Sequence, residues 1–151
     1  MQAEQYDVDK IATLVDEQMA IFNPDQAIAF DAILESVTNN QDRLFFIHAA
    51  GSCGKTLLCN TIAAEVRRRG QVVLCVVSSG IAALLLDKGR TSHSCFKISL
   101  SIHKDSVARL KHNSYMFPVL QKTRVIIWMK FLCSTSMILM LLINVLETCF
   151  K

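Results

Sequence analysis

Lys55 and Thr56 have the residue types and spacing best suited to chemistry in this chain, and they close the run Ala49-Ala50-Gly51-Ser52-Cys53-Gly54-Lys55-Thr56. Gly-Lys-Thr behind an apolar strand and ahead of a helix is a phosphate-binding arrangement. Successive backbone N–H groups form a concave nest for phosphate oxygens, and the helix N-terminus adds its positive end. In such a loop the backbone from Gly51 through Ser52, Cys53 and Gly54 lies against the phosphates. Lys55 neutralises the terminal phosphates and is the candidate catalytic residue, while the Thr56 hydroxyl is the candidate ligand for Mg²⁺. The strict pattern is G-x-x-x-x-G-K-[ST], and its first position is Ala49. If Ala49 or Ser52 must take a positive φ, the side chain costs about 1–2 kcal/mol there.

Such a loop needs a strand before it and a helix behind it. Leu44-Phe45-Phe46-Ile47 is a short continuous apolar run, the signature of a buried strand. Leu57 to Arg69 reads as a helix with Leu58, Ile62 and Val66 on one stripe and Gly70 as its stop. Val72–Val77 is a second buried strand, and Val125-Ile126-Ile127-Trp128 a third. A helix starts at Ile81 after the turn Ser78-Ser79-Gly80. Upstream, Asn23-Pro24-Asp25-Gln26 predicts a helix start, with Asn23 as N-cap, Pro24 at the first position and Gln26 reaching back in a capping box. Ile11, Leu14, Val15 and Met19 mark a short amphipathic helix before it. Strands alternating with helices predict an α/β fold, a parallel sheet with helices on both faces.

The 151 residues suffice for one domain with a real core, and 52% hydrophobic against 19% charged residues excludes a disordered chain. A net charge of +3 does not by itself indicate a nucleic-acid partner. The one tight basic run, Arg67-Arg68-Arg69, reads as a solvated helix end rather than a binding patch. Cys53, Cys59, Cys75, Cys95, Cys133 and Cys149 form no C-x-x-C pair, which argues against a zinc or redox motif and for reduced thiols. His48, His103 and His112 have no ligand spacing. The first residues lack the apolar core of a signal peptide and the Arg-rich bias of a transit peptide.

From about Phe22 to Trp128 the sequence resembles the first motor domain of the PIF-one-type ATP-dependent DNA helicases, including the helicase part of Helitron transposons. The resemblance rests on Phe22-Asn23-Pro24-Asp25-Gln26, on Leu44-Phe45-Phe46-Ile47 with the loop behind it, on Ser78 through Leu86, and on Gly89 through Ile98. It implies a partial RecA-like domain that binds ATP and Mg²⁺ and contacts single-stranded DNA. In the family such motors couple ATP hydrolysis to unwinding in DNA repair, recombination and telomere maintenance, so a nuclear location is expected, with a mitochondrial or membrane-anchored one as alternatives. Gln26 looks like the glutamine that reads the adenine edge, and the capping box is its other role. Ser79 and Gly80 resemble the motif that touches the DNA backbone; His93 lies in a segment similar to a DNA-facing element, though a lone His is more often structural. The family usually has Gly where Ala49 and Ser52 stand here.

The resemblance breaks inside a motif. The family's third strand ends Trp-Asp-Glu-Ala, and this chain reads Trp128-Met129-Lys130-Phe131. The family Asp helps hold Mg²⁺ and the Glu activates the attacking water; loss of a general base typically costs about 10²–10⁴ in rate. Impaired hydrolysis is therefore expected, with nucleotide binding retained through Lys55. The sequence divides into an N-terminal lead (1–22), a partial motor domain (23–128) and an apolar tail (129–151). The expectation is a truncated or altered helicase product, diverted after Trp128 and lacking the second motor domain and its arginine finger. Residues 131–150 are expected to form an apolar helix lying on the domain, or to be a sequence never selected to fold; a membrane anchor is the further alternative for a segment of that length.

Overall fold

A computed structural model describes residues 8–50, 52–96, 116–131 and 135–142. Helix α1 (Val8–Ala20) leads into α2 (Pro24–Thr38). Asn23 caps α2 as its sequence predicts. The Asn23 side chain accepts from the Gln26 N–H at 2.8 Å, and the Gln26 side chain accepts from the Asn23 N–H at 2.9 Å. Strand β1 (Leu44–Ala50) runs into the phosphate loop, and α3 (Lys55–Arg68) follows it. The chain leaves α3 through Gly70 at φ +72, a left-handed stop that glycine adopts without steric cost. Strand β2 (Val72–Val77), the single-turn α4 (Gly80–Ala83), the short β3 (Arg90–Thr91) and α5 (Ser92–Phe96) come next. Helix α6 (Met116–Lys122), β4 (Thr123–Phe131) and β5 (Thr135–Leu142) complete the described fold.

The five strands form one sheet in the order β1-β5-β4-β2-β3. Two expectations are corrected here. The tail is not helical where it is described: Thr135–Leu142 is a strand. The sheet is also mixed rather than parallel, because β5 is antiparallel to both β1 and β4. One cause accounts for both. Only residues 132–134 separate β4 from β5. A parallel return needs a crossover of about a dozen residues or more, so a link this short permits only an antiparallel neighbour. β3, β2 and β4 are mutually parallel. Since β1 and β4 both run against β5, β1 shares their direction. Four strands therefore present their carboxyl ends along one edge of the sheet.

Two apolar layers hold this arrangement, one on each face. The larger joins α1, α2, α3 and α4 to the sheet through Val15, Ile33, Val37, Ile62, Val66, Val77 and Ile127, all nearly inaccessible to solvent. The stripe Leu58, Ile62 and Val66 lies at its centre, as the helical spacing of α3 predicts. The smaller layer sets Cys95 of α5 and Met116 and Leu120 of α6 against Leu74, Val76 and Ile126. Alternation along β2 and β4 feeds both layers, so β2 and residues 125–129 of β4 are apolar. At the outer edge, β1 alternates between half-buried and exposed positions. Phe45 and Ile47 pack on the larger core, while Leu44 and Phe46 are exposed.

Candidate nucleotide site

The phosphate loop turns out of β1 at the carboxyl edge of the sheet, the side on which parallel α/β sheets bind ligands. Gly51 lies outside the described residues. Ser52 and Gly54 take positive φ values of 63 and 69. This answers the question the sequence raises: Ser52 is the position that meets the left-handed cost, whereas Ala49 is ordinary strand, paired with Ser136. Left-handed residues bracketing Cys53 turn successive N–H groups toward one side, the geometry of an anion nest.

Lys55 opens α3 and is buried at 7% exposure. Its ammonium donates to the Ala49 carbonyl at 2.8 Å and to the Ala50 carbonyl. The cation is thus held over the end of β1, inside the loop's mouth. Thr56, the next residue, is half-buried. A cavity of about 450 Å³ opens beside the loop, lined by Asp25, Gln26, Phe46, His48, Cys53 and Lys55 among others. It brings Gln26 and Lys55 to one place, as the nucleotide reading requires. His48 and Phe46 were not foreseen as lining residues. Their signal was present, because the outward positions of a strand feeding a phosphate loop flank whatever the loop holds.

Gln26 does more than cap. Its Nε2 donates to the Cys53 carbonyl at 3.0 Å, across 27 residues of sequence. Gly54 packs so closely beneath it that a Cβ there would lie 2.4 Å from Nε2. The positive φ is what favours glycine at this position, and a side chain there would push the Gln26 carboxamide aside.

The other candidate residues follow the parallel strands. Val77 of β2 pairs with Thr91 of β3 and Met129 of β4, so the segments just beyond these residues share the carboxyl edge. Ser79 and Gly80 are exposed there; the Ser79 hydroxyl caps α4 by accepting from the Ala82 N–H at 3.3 Å, and Gly80 has open space around it. His93 is half-buried on α5. Met129 is 1% exposed and belongs to the larger core, while Lys130 is exposed on the next position. Through β5, Met129 lies level with Ile47 of β1.

The basic run lies at the end of α3 with Arg68 and Arg69 exposed, as its sequence predicts, and each of its arginines is also ion-paired. Arg67 pairs with Asp87 at 2.5 Å, and Arg68 and Arg69 both bind Glu65, at 2.6 and 2.8 Å. Burial pushes the Glu65 carboxyl up, but the hydrogen bonds and charges of Arg68 and Arg69 outweigh it and hold the group below the usual carboxylate range. With all three arginines in intramolecular pairs, the run is not a ready-made phosphate-binding patch. Among the described residues no group of His, Cys, Asp and Glu could hold a metal ion, and no helix is long and apolar enough to cross a membrane. Thr135–Leu142, inside the segment for which an anchor was the alternative, lies between β1 and β4 in the sheet.

A mixed α/β sheet carrying a phosphate loop at its carboxyl edge is consistent with a RecA-like helicase domain. Residues 21–149 match the sequence model of the PIF1-like helicases, and the chain belongs to that family. The matched span includes Met129 and Lys130 as well as the loop. No curated protein gives a significant match.

Proposed function

We propose that this chain is a helicase-type motor portion that grips Mg²⁺–ATP and turns it over poorly or not at all. One contrast supports the reading. Lys55 is buried in a loop with the backbone of an anion nest, whereas Met129, at the position where relatives carry an Mg²⁺-holding Asp, is sealed in the core. The loop fits a polyphosphate: it offers Lys55, the backbone from Ser52 to Thr56 and the N-terminus of α3. The fit to Mg²⁺ is narrower. Thr56 offers one hydroxyl, and the Met129 thioether is a soft donor that a hard ion does not take. The ion would be held by Thr56, phosphate oxygens and water. Lys130, where relatives carry the Glu that activates water, cannot act as the base while charged. Gln26 would meet the adenine, and Ser79, Gly80 and His93 would line the path of single-stranded DNA. By family the setting is nuclear DNA repair, recombination or telomere maintenance; a non-catalytic nucleotide- and DNA-binding remnant is the alternative reading.

The test measures ATP affinity and single-stranded-DNA-stimulated phosphate release on one preparation. Binding abolished by Lys55→Ala, with release at background, supports the reading. Release that DNA stimulates and Lys55→Ala abolishes would replace it with a working ATPase.

A further inference from the structure

The Gln26 carboxamide joins two parts of the site that are remote in sequence. Its Oε1 accepts from the Asn23 N–H at 2.9 Å, and its Nε2 donates to the Cys53 carbonyl at 3.0 Å. Asn23 fixes the start of α2, and Cys53 lies between the two left-handed residues of the loop. Gly54 lies directly beside the carboxamide, a Cβ built there being 2.4 Å from Nε2, so a side chain at this position would push Gln26 away from Cys53. We propose that Gln26 is a positioning residue for the phosphate loop, holding the Cys53 peptide so that its neighbours' N–H groups face the phosphates whether or not a base is bound. The proposal deepens the nucleotide-binding reading and rests on it.

The chemistry of the carboxamide permits this role alongside adenine recognition. A carboxamide carries two N–H donors and two acceptor lone pairs. The two hydrogen bonds above use one of each. One donor and one acceptor remain, the complement of the acceptor and donor on the adenine amino edge. A base need not displace the loop contact, and a ligand without a base still meets a loop already held. Preorganisation of this kind strengthens binding by removing the cost of ordering the loop.

The discriminating ligand is inorganic tripolyphosphate, which has phosphates and no base. Affinities for Mg²⁺–tripolyphosphate and Mg²⁺–ATP are measured on the full chain, the Gln26→Met variant and the Asn23→Ala variant. Gln26→Met keeps the side chain's length and loses its hydrogen bonds. Asn23→Ala removes the other half of the capping box, the 2.8 Å bond to the Gln26 N–H, and leaves the contact to Cys53. The expected result is roughly two- to tenfold weaker binding of both ligands by Gln26→Met, the worth of one hydrogen bond, and less than twofold change for Asn23→Ala. Amide exchange at residues 52–56, read without ligand, should quicken in Gln26→Met alone. Weakening of ATP but not tripolyphosphate by Gln26→Met would overturn the proposal and leave the nucleotide reading standing. Equal weakening by Asn23→Ala, or unchanged loop exchange in Gln26→Met, would also overturn it. A wild-type chain that binds neither ligand would overturn the nucleotide reading itself, and the proposal with it.

Discussion

Ser52 shows how one side chain can tax a site without destroying it. Its φ of 63 is a left-handed conformation, which costs a non-glycine residue about 1–2 kcal/mol. Ser52→Gly removes that cost and adds back some chain entropy, about 0.5–1 kcal/mol. Urea unfolding should place Ser52→Gly between unchanged and about 1.5 kcal/mol more stable, and Ser52→Val clearly below wild type. The thiols divide just as sharply. Burial pushes the Cys75 thiol up to about 11 and raises Cys59 further, so both stay protonated at neutral pH. Cys53 is exposed in the loop. Brief alkylation of the folded chain, mapped by peptide mass, should label Cys53 and spare Cys59, Cys75 and Cys95; Mg²⁺–ATP should slow the labelling. The loop's residue types were legible from sequence, and so was the doubt over Ser52. The bond from Gln26 to Cys53 was not, because nothing local records a contact 27 residues apart.

Elements with local punctuation could be read directly. Asn23-Pro24-Asp25-Gln26 specified the start of α2, and Gly70 the end of α3, because caps and left-handed stops are settled within a few residues. β5 was misread for the opposite reason. A short apolar run fits a buried strand and a buried helix alike, and periodicity does not separate them. What decides it is non-local: β4 ends close by, the link is 132–134, and β1 needs a partner. Amide hydrogen exchange checks this assignment. Residues 135–142, paired on both sides, should be as slow as β4; exchange at the rate of a frayed tail would contradict the pairing. The arginine cluster could have been foreseen in part, since Glu65 stands three and four residues before Arg68 and Arg69, the spacing of helical ion pairs. Its pH dependence has a definite sign. A carboxylate held below its ordinary value stabilises the fold above that value, near 4.5, and the contribution is lost as pH falls through the lowered one. Denaturant unfolding should therefore show wild type losing stability below about pH 4.5, with Glu65→Gln less stable than wild type at neutral pH and nearer to it in acid.

At the scale of the whole molecule, the sheet gathers the loop, Ser79-Gly80, His93 and Met129-Lys130 along one carboxyl edge. Parallel direction, not sequence proximity, brings them together. By family the chain is a PIF1-like helicase, while the residues at the end of β4 are those of a core and a surface cation. The central claim is a retained grip, and equilibrium titration with a fluorescent ATP analogue and Mg²⁺ tests it most directly. Saturable binding to the full chain, lost in Lys55→Ala while that variant's unfolding midpoint stays within a few degrees, is the predicted result. A chain that is folded and fails to bind, or binding indifferent to Lys55→Ala, would contradict it.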